Sequence, residues 1–167
     1  MKVLVIFAHT YYNDSKVNRK LLESIRNFNN VKIHNLNEVY KDNKITKENV
    51  IDEIALLKEY DKIIFQFPLF WFSVPSLLKE WEDTVLHNLL HSTDDEKKFL
   101  ENKIFKIITT TGGEKSFYDS LDYNINALLS PITTSFKQFG LKIEDSYCIY
   151  NANADKLDLD EYQKCFK

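Results

Sequence analysis

FQFPLFWFSVPSLLKEWEDTVL, Phe65 to Leu86, changes character twice along its length. With Lys62 to Ile64 ahead of it, the run KIIFQF through Phe67 is almost wholly apolar, which suits a strand buried on both faces of a parallel sheet. From Ser76 the spacing becomes helical. Leu78, Trp81, Val85 and Leu89 form one stripe, with Lys79, Glu80, Glu82 and Asp83 largely outside it. Strand, short loop and amphipathic helix make half of a βαβ unit. Between the two elements, Leu69, Phe70, Trp71 and Phe72 are bracketed by Pro68 and Pro75, whose fixed φ values stiffen the loop.

The same alternation runs in both directions from this unit. Val3 to Ala8 (VLVIFA) reads as a first buried strand, and Val17, Leu21, Leu22, Ile25 and Phe28 mark a helix that Ser15 can cap. Val31 to Leu36 alternates as a second strand, and a helix passes through Val50, Ile51, Ile54 and Leu57. Downstream, Ile104 to Thr109 is a fourth strand. Ser130-Pro131 has the form of an N-cap with proline at the first helical position, and Gly140 stands where that helix should stop. Lys142 to Tyr150 is a fifth strand, and Leu157 to Phe166 a last short helix.

Five strands alternating with helices predict a doubly wound α/β domain with a five-stranded parallel sheet, because right-handed crossovers then cover both sheet faces. The expected strand order is 2-1-3-4-5, that of the flavodoxin-like fold. Its ligand crevice lies beyond the carboxyl ends of the strands, where the order reverses between strands 1 and 3.

Composition narrows the function classes. At 167 residues, 44% hydrophobic and 28% charged, the chain is expected to be one globular domain spanning 1–167. Its net charge of -3 gives no strong electrostatic case for nucleic acid or an anionic membrane, and a small molecule or a protein is the expected partner. With no apolar run of spanning length and no signal-peptide pattern, a cytoplasmic protein is expected. Cys148 and Cys165 have neither CxxC spacing nor metal-ligand company and read as reduced thiols. His34, His87 and His91 lack any partnering motif and receive no catalytic role.

Three loops converge on the expected crevice. His9 to Asn18 (HTYYNDSKVN) leads into a helix whose free N–H groups would welcome a phosphate, unless Ser15 is only a cap. Leu69 to Phe72 should otherwise face water, so they meet either a flat ligand or another surface, including a second copy. Thr109 to Tyr118 (TTTGGEKSFY) holds two of the chain's three glycines, Gly112 and Gly113. So sparing a use of glycine points to positive φ or a close backbone approach to a ligand, or else to a tight turn. The long segment Glu114 to Leu129 that follows has the length of a functional lid. An anion site, an apolar wall and a glycine turn together suit flavin mononucleotide.

These residues also carry a resemblance. From VLVIFAH to the fifth strand the chain resembles the flavodoxin-like NAD(P)H:quinone oxidoreductases, a family that includes DT-diaphorase and the flavoprotein ancillary subunits of glutathione-gated potassium-efflux systems. FPLFWFSVPSLLKEWEDTVL and TTGGEKSFY are its specific parts. The resemblance implies FMN as cofactor, with FAD less favoured because the chain lacks the C-terminal extension of larger FAD-dependent members. It implies NAD(P)H as donor, a quinone or similar acceptor, a two-step transfer and a homodimer. It implies that His9, Ser15, Val17 and Asn18 line the phosphate and ribityl region, and that Leu69, Phe70, Trp71 and Phe72 pass along the isoalloxazine. Thr110, Thr111, Gly112 and Gly113 would donate to the ring's polar edge through the backbone, with Tyr118 as the active-site tyrosine. Phe70 departs from the glutamine often found at its position, and Asn124 replaces a histidine found in some members.

Two further roles compete: a regulatory subunit on a potassium-efflux transporter, and a one-electron flavodoxin carrier. The carrier is opposed by the lack of a Ser/Thr-x-Thr-Gly phosphate loop. A phospho-receiver is excluded, since Ala8-His9 and Phe67-Pro68 offer no acidic cluster for Mg²⁺ at the strand ends.

Overall fold

The computed structural model describes residues 1–121 and 124–167. Five segments line up side by side as a parallel sheet. β1 (Val3–Phe7) lies between β2 (Val31–Asn35) and β3 (Lys62–Pro68), and β4 (Ile104–Thr110) pairs with the far side of β3. The fifth strand is split. β5 (Lys142–Ile143) and β6 (Tyr147–Ile149) pair in turn with the start and the end of β4, where the sequence suggested one unbroken strand from Lys142 to Tyr150. The order is thus 2-1-3-4 followed by the divided fifth position, as expected for the flavodoxin-like fold.

Strand alternation divides the core in two. On one face Leu4, Ile6, Ile63, Phe65, Phe67, Phe105 and Ile107 meet α2 (Leu36–Val39), α3 (Lys47–Lys58), α4 (Ser76–Trp81), α5 (His87–Leu90) and α8 (Ile125–Lys137). On the other, Val3, Val5, Phe7, Ile64 and Ile108 meet α1 (Val17–Ile25) and α9 (Leu159–Lys164). All of these strand side chains are buried, and each contributes roughly 1.5–3 kcal/mol through burial. The short α6 (Asp94–Lys97) and α7 (Lys115–Asp119) complete the helices.

Several local expectations are corrected. Ser15 does not cap α1: the helix follows Lys16, and no side chain bonds its first turn. Ile51 on α3 is solvent-exposed. Glu82, expected outside the stripe, is buried, because Glu82–Leu86 winds as a π-helical turn between α4 and α5 that also brings both Val85 and Leu86 inward. The helix expected to begin at Ser130-Pro131 begins instead after Asn124, whose side chain accepts from Ala127 N–H at 3.1 Å. Pro131 is interior, and the Ser130 hydroxyl donates to the Ala127 carbonyl, 2.7 Å away, the acceptor that the missing proline N–H would have served. Gly140 does follow the end of that helix, at φ 83°. The lid expected over Glu114 to Leu129 contains α7 and the start of α8, with Asp122 and Tyr123 outside the described residues.

His34 is not an incidental surface histidine. Its Nε2 lies 2.7 Å from buried Glu53 Oε1, and Trp81 Nε1 and the Tyr40 hydroxyl donate to the same carboxylate. Burial alone would raise the Glu53 pKa, but the hydrogen bond and charge of His34, with donation from Tyr40 and Trp81, outweigh it and hold the carboxyl below its usual range. One carboxylate thus ties β2, the end of α2 and α4 to α3.

Candidate functional site

A cavity of about 270 Å³ opens where β1, β3 and β4 end. Its wall takes His9 from β1's exit, Ser15, Val17 and Asn18 from the start of α1, Leu69 after β3, and Thr110, Thr111 and Gly112 at the end of β4. The switch-point rule leads to this place. Asp14, Lys16, Pro68 and Ala152 complete the wall and were not expected from the sequence to line it. The first three adjoin named residues, but Ala152 comes from beyond β6, held by its N–H donating to the Thr111 carbonyl at 2.9 Å. A larger depression of about 590 Å³ runs along the outer face of α1 from Lys16 to Ser24 against Leu159, walled by solvated side chains such as Arg19 and Glu23.

The cavity's polar groups are arranged for an acceptor-rich ligand. The leading N–H groups of α1 have no intrahelical acceptor and lie at the positive end of its dipole. Beside them, the Ser15 hydroxyl is buried and has no hydrogen-bond partner among the described residues. An orphaned hydroxyl costs about 1–3 kcal/mol, so an oxygen of a bound ligand would satisfy it. Gly112 offers open space: a Cβ built there meets no atom within 4 Å. His9 accepts from Tyr11 N–H through Nδ1 at 3.0 Å, which puts the proton of the neutral ring on Nε2. Burial lowers its pKa, with Asp14 opposing.

The aromatic loop lies beside the cavity. Phe70 and Ser73 exchange two backbone hydrogen bonds of 2.9 Å, closing a two-residue hairpin turn over Trp71 and Phe72. Both turn residues have positive φ, 47° and 64°. Type I′ turns share that feature and normally use Asn-Gly, so two aromatics there are strained. Trp71 is 92% exposed. Phe72 is 41% exposed and stacks toward Phe117 with ring centroids 6.4 Å apart. Phe70 turns its edge to His9 and Tyr11. Of the four loop residues, only Leu69 lines the cavity itself.

Two expectations about the glycine loop change. Neither Gly112 nor Gly113 has positive φ. A Cβ on Gly113 would come within 3.1 Å of the Tyr118 ring, so the second glycine admits that ring and does not line the cavity. Thr111 N–H, expected to face the ligand, already donates to the Ile149 carbonyl at 2.9 Å. Tyr118 is buried beneath Gly113, tilted against Tyr150, and stands outside the cavity wall. Among the described residues no cluster of three metal-ligating side chains occurs, and no helix is long and apolar enough to cross a membrane.

Sheet order and cavity position define a doubly wound protein of the flavodoxin-like class. The family model described as flavodoxin-like fold matches residues 1–166, and the chain belongs to that family. It is 34% identical to general stress protein 14 of Bacillus subtilis over 156 residues, 92% of this chain and 87% of that protein. It is 33% identical to the uncharacterized NAD(P)H oxidoreductase YdeQ of the same organism, over 92% of this chain and 77% of the relative. Over 133 residues it is 41% identical to the glutathione-regulated potassium-efflux system ancillary protein KefG of Salmonella gallinarum, covering 78% of this chain and 70% of KefG. Among solved structures, an NADPH-quinone reductase from P. pentosaceus superposes with a TM-score of 0.84 at 26% identity, over 100% of this chain and 98% of that one. General stress protein 14 from Treponema denticola, solved with FMN, shares the fold with a TM-score of 0.83 at 23% identity, over 99% and 95% of the two chains.

Proposed function

We propose that the protein is an FMN-dependent NAD(P)H oxidoreductase that reduces a quinone or a similar small acceptor. The observation that carries this reading is the cavity at the strand 1/3 switch point, whose wall holds both the Ser15 hydroxyl, without a partner among the described residues, and the open face of Gly112. Relatives named as an NAD(P)H oxidoreductase and an NADPH-quinone reductase support it, as does the FMN bound by a protein of the same fold.

The residues present fit the group. In this reading His9, Ser15, Val17 and Asn18 hold the phosphate and ribityl chain, the donors and the helix dipole compensating its charge. Leu69 and the strained turn of Phe70, Trp71 and Phe72 border the ring. Thr110 and Gly112 stand at its polar edge, with Gly113 and Tyr118 packed behind. When bound, FMN would take a hydride from NAD(P)H and pass the electrons on in a separate half-reaction, so that NAD(P)H, a proton and a quinone become NAD(P)⁺ and a hydroquinone. The protein's share is orientation, exclusion of water by the aromatic loop, and fixed donors.

Gly112→Ala tests the placement. The added methyl meets no protein atom within 4 Å and the backbone there is not left-handed, so the apo protein should keep its stability. FMN affinity should fall tenfold or more, roughly 1.4 kcal/mol. Unchanged affinity would remove Gly112 from the site, and no FMN binding by the wild type would end the reading.

The exposed Tyr11, Trp71, Phe72 and Phe117 side chains suit a homodimer that covers the cavity mouth. Sedimentation of a fully active monomer at micromolar concentration would contradict that. A second reading, a subunit docked on a potassium-efflux transporter, rests on the likeness to KefG. Failure to co-purify with such a transporter when the two are co-expressed would count against it.

A further inference from the structure

On the face of the sheet covered by α1 and α9, Gln66 of β3 is wholly buried beside the apolar side chains of Phe7, Ile64 and Ile108. Its partners form a directional chain through the interior. The Tyr162 hydroxyl on α9 donates to Gln66 Oε1 at 2.7 Å. Gln66 Nε2 donates to Asn18 Oδ1 at 3.2 Å, and Asn18 Nδ2 donates to Thr110 Oγ1 at 3.0 Å. Tyr162, Gln66, Asn18 and Thr110 are 0%, 0%, 2% and 4% exposed, so water does not substitute for any link. The last two stand in the cavity wall, whereas Tyr162 and Gln66 do not.

Hydrogen-bond direction passes along such a chain. A tyrosine that donates to one end of the Gln66 amide obliges the other end, its NH₂, to face Asn18. That NH₂ turns the Asn18 oxygen inward and its nitrogen toward Thr110. Thr110 then accepts, and a hydroxyl that accepts from a buried amide keeps its own hydrogen for another partner. Asn18 likewise retains a second N–H.

We propose that Tyr162 and Gln66 are positioning residues which, through this relay, turn an N–H of Asn18 and the hydroxyl hydrogen of Thr110 to the cavity, and so favour an acceptor-rich ligand. The inference rests on the FMN reading for the identity of the ligand. It assigns a role to α9, which contributes nothing to the cavity wall and lies behind the sheet.

The test uses Tyr162→Phe, which removes one hydroxyl and keeps the ring. In the apo protein the side-chain amide resonances of Asn18, assigned by their loss in Asn18→Asp, should shift, and FMN affinity should fall about three- to tenfold, the worth of one oriented hydrogen bond. Gln66→Met, which deletes the relay's centre, should weaken FMN at least as much. Wild-type FMN affinity in Tyr162→Phe would overturn the proposal, even with a lowered melting temperature, because Tyr162 would then only support packing. If the wild type itself binds no FMN, the functional reading fails separately. The Asn18 resonance then decides: a shift upholds the relay and no shift overturns it.

Discussion

Trp71 and Phe72 occupy a turn geometry that their side chains disfavour, and the cost, on the order of 1–3 kcal/mol for each residue, falls beside the cavity. Replacing them by Asn and Gly, the pair such turns prefer, should raise apo stability by about 1–2 kcal/mol in urea denaturation while lowering turnover. A variant that is both less stable and fully active would show that the turn stores no strain for function. His9 gives a second residue-scale expectation. Its neutral form is favoured in the fold, so its NMR titration midpoint should lie below 6.5. Its contribution to stability is complete above the unfolded value and is lost as pH falls toward the folded one; a midpoint above 6.5 would contradict the burial that lowers it. The sequence placed conformational freedom at Gly112-Gly113, where composition suggests it, but that pair lacks positive φ, which the aromatic turn of Trp71 and Phe72 carries instead. Local preference did not reveal this, because tertiary contacts decide which residue bears the strain.

At the level of elements, Glu53 joins β2, α2, α3 and α4 through His34, Tyr40 and Trp81, and α4 in turn follows the aromatic loop. Glu53→Ala leaves these buried partners without their acceptor and should cost roughly 3–5 kcal/mol in chemical denaturation. A loss under 1 kcal/mol would mean that the cluster is not what holds these elements together. Because the Glu53 pKa is depressed, its contribution is present above about 4.5 and disappears as pH falls through the lower folded value. None of this was visible in the α3 pattern, where Glu53 reads as one polar position of a helix. The α8 start was misread for a comparable reason. Ser130-Pro131 has the residues of an N-terminus, but an apolar stretch on both sides sustains the helix through the proline, with Ser130 bonding the freed carbonyl.

For the whole molecule, strand order was legible because Val3–Phe7, Lys62–Pro68 and Ile104–Thr110 are long apolar runs separated by helix-length segments, and crossover handedness leaves few topologies for such a series. The same rule located the cavity, and eight of the residues named from the sequence stand in its wall. What remained illegible lies far apart in the chain: Ala152 reaching Thr111, and Tyr162 reaching Gln66 across 96 positions. Side-chain pairings at such separations depend on how α9 and the β6 exit settle on the sheet, which no local pattern records. The functional account stands on the flavin. Reconstituting the purified protein with FMN and mixing it anaerobically with NADPH, then with NADH, tests it most directly. The account predicts that at least one nucleotide bleaches the visible flavin band and that a benzoquinone restores it; a bound flavin that dithionite bleaches but neither nucleotide does would contradict it.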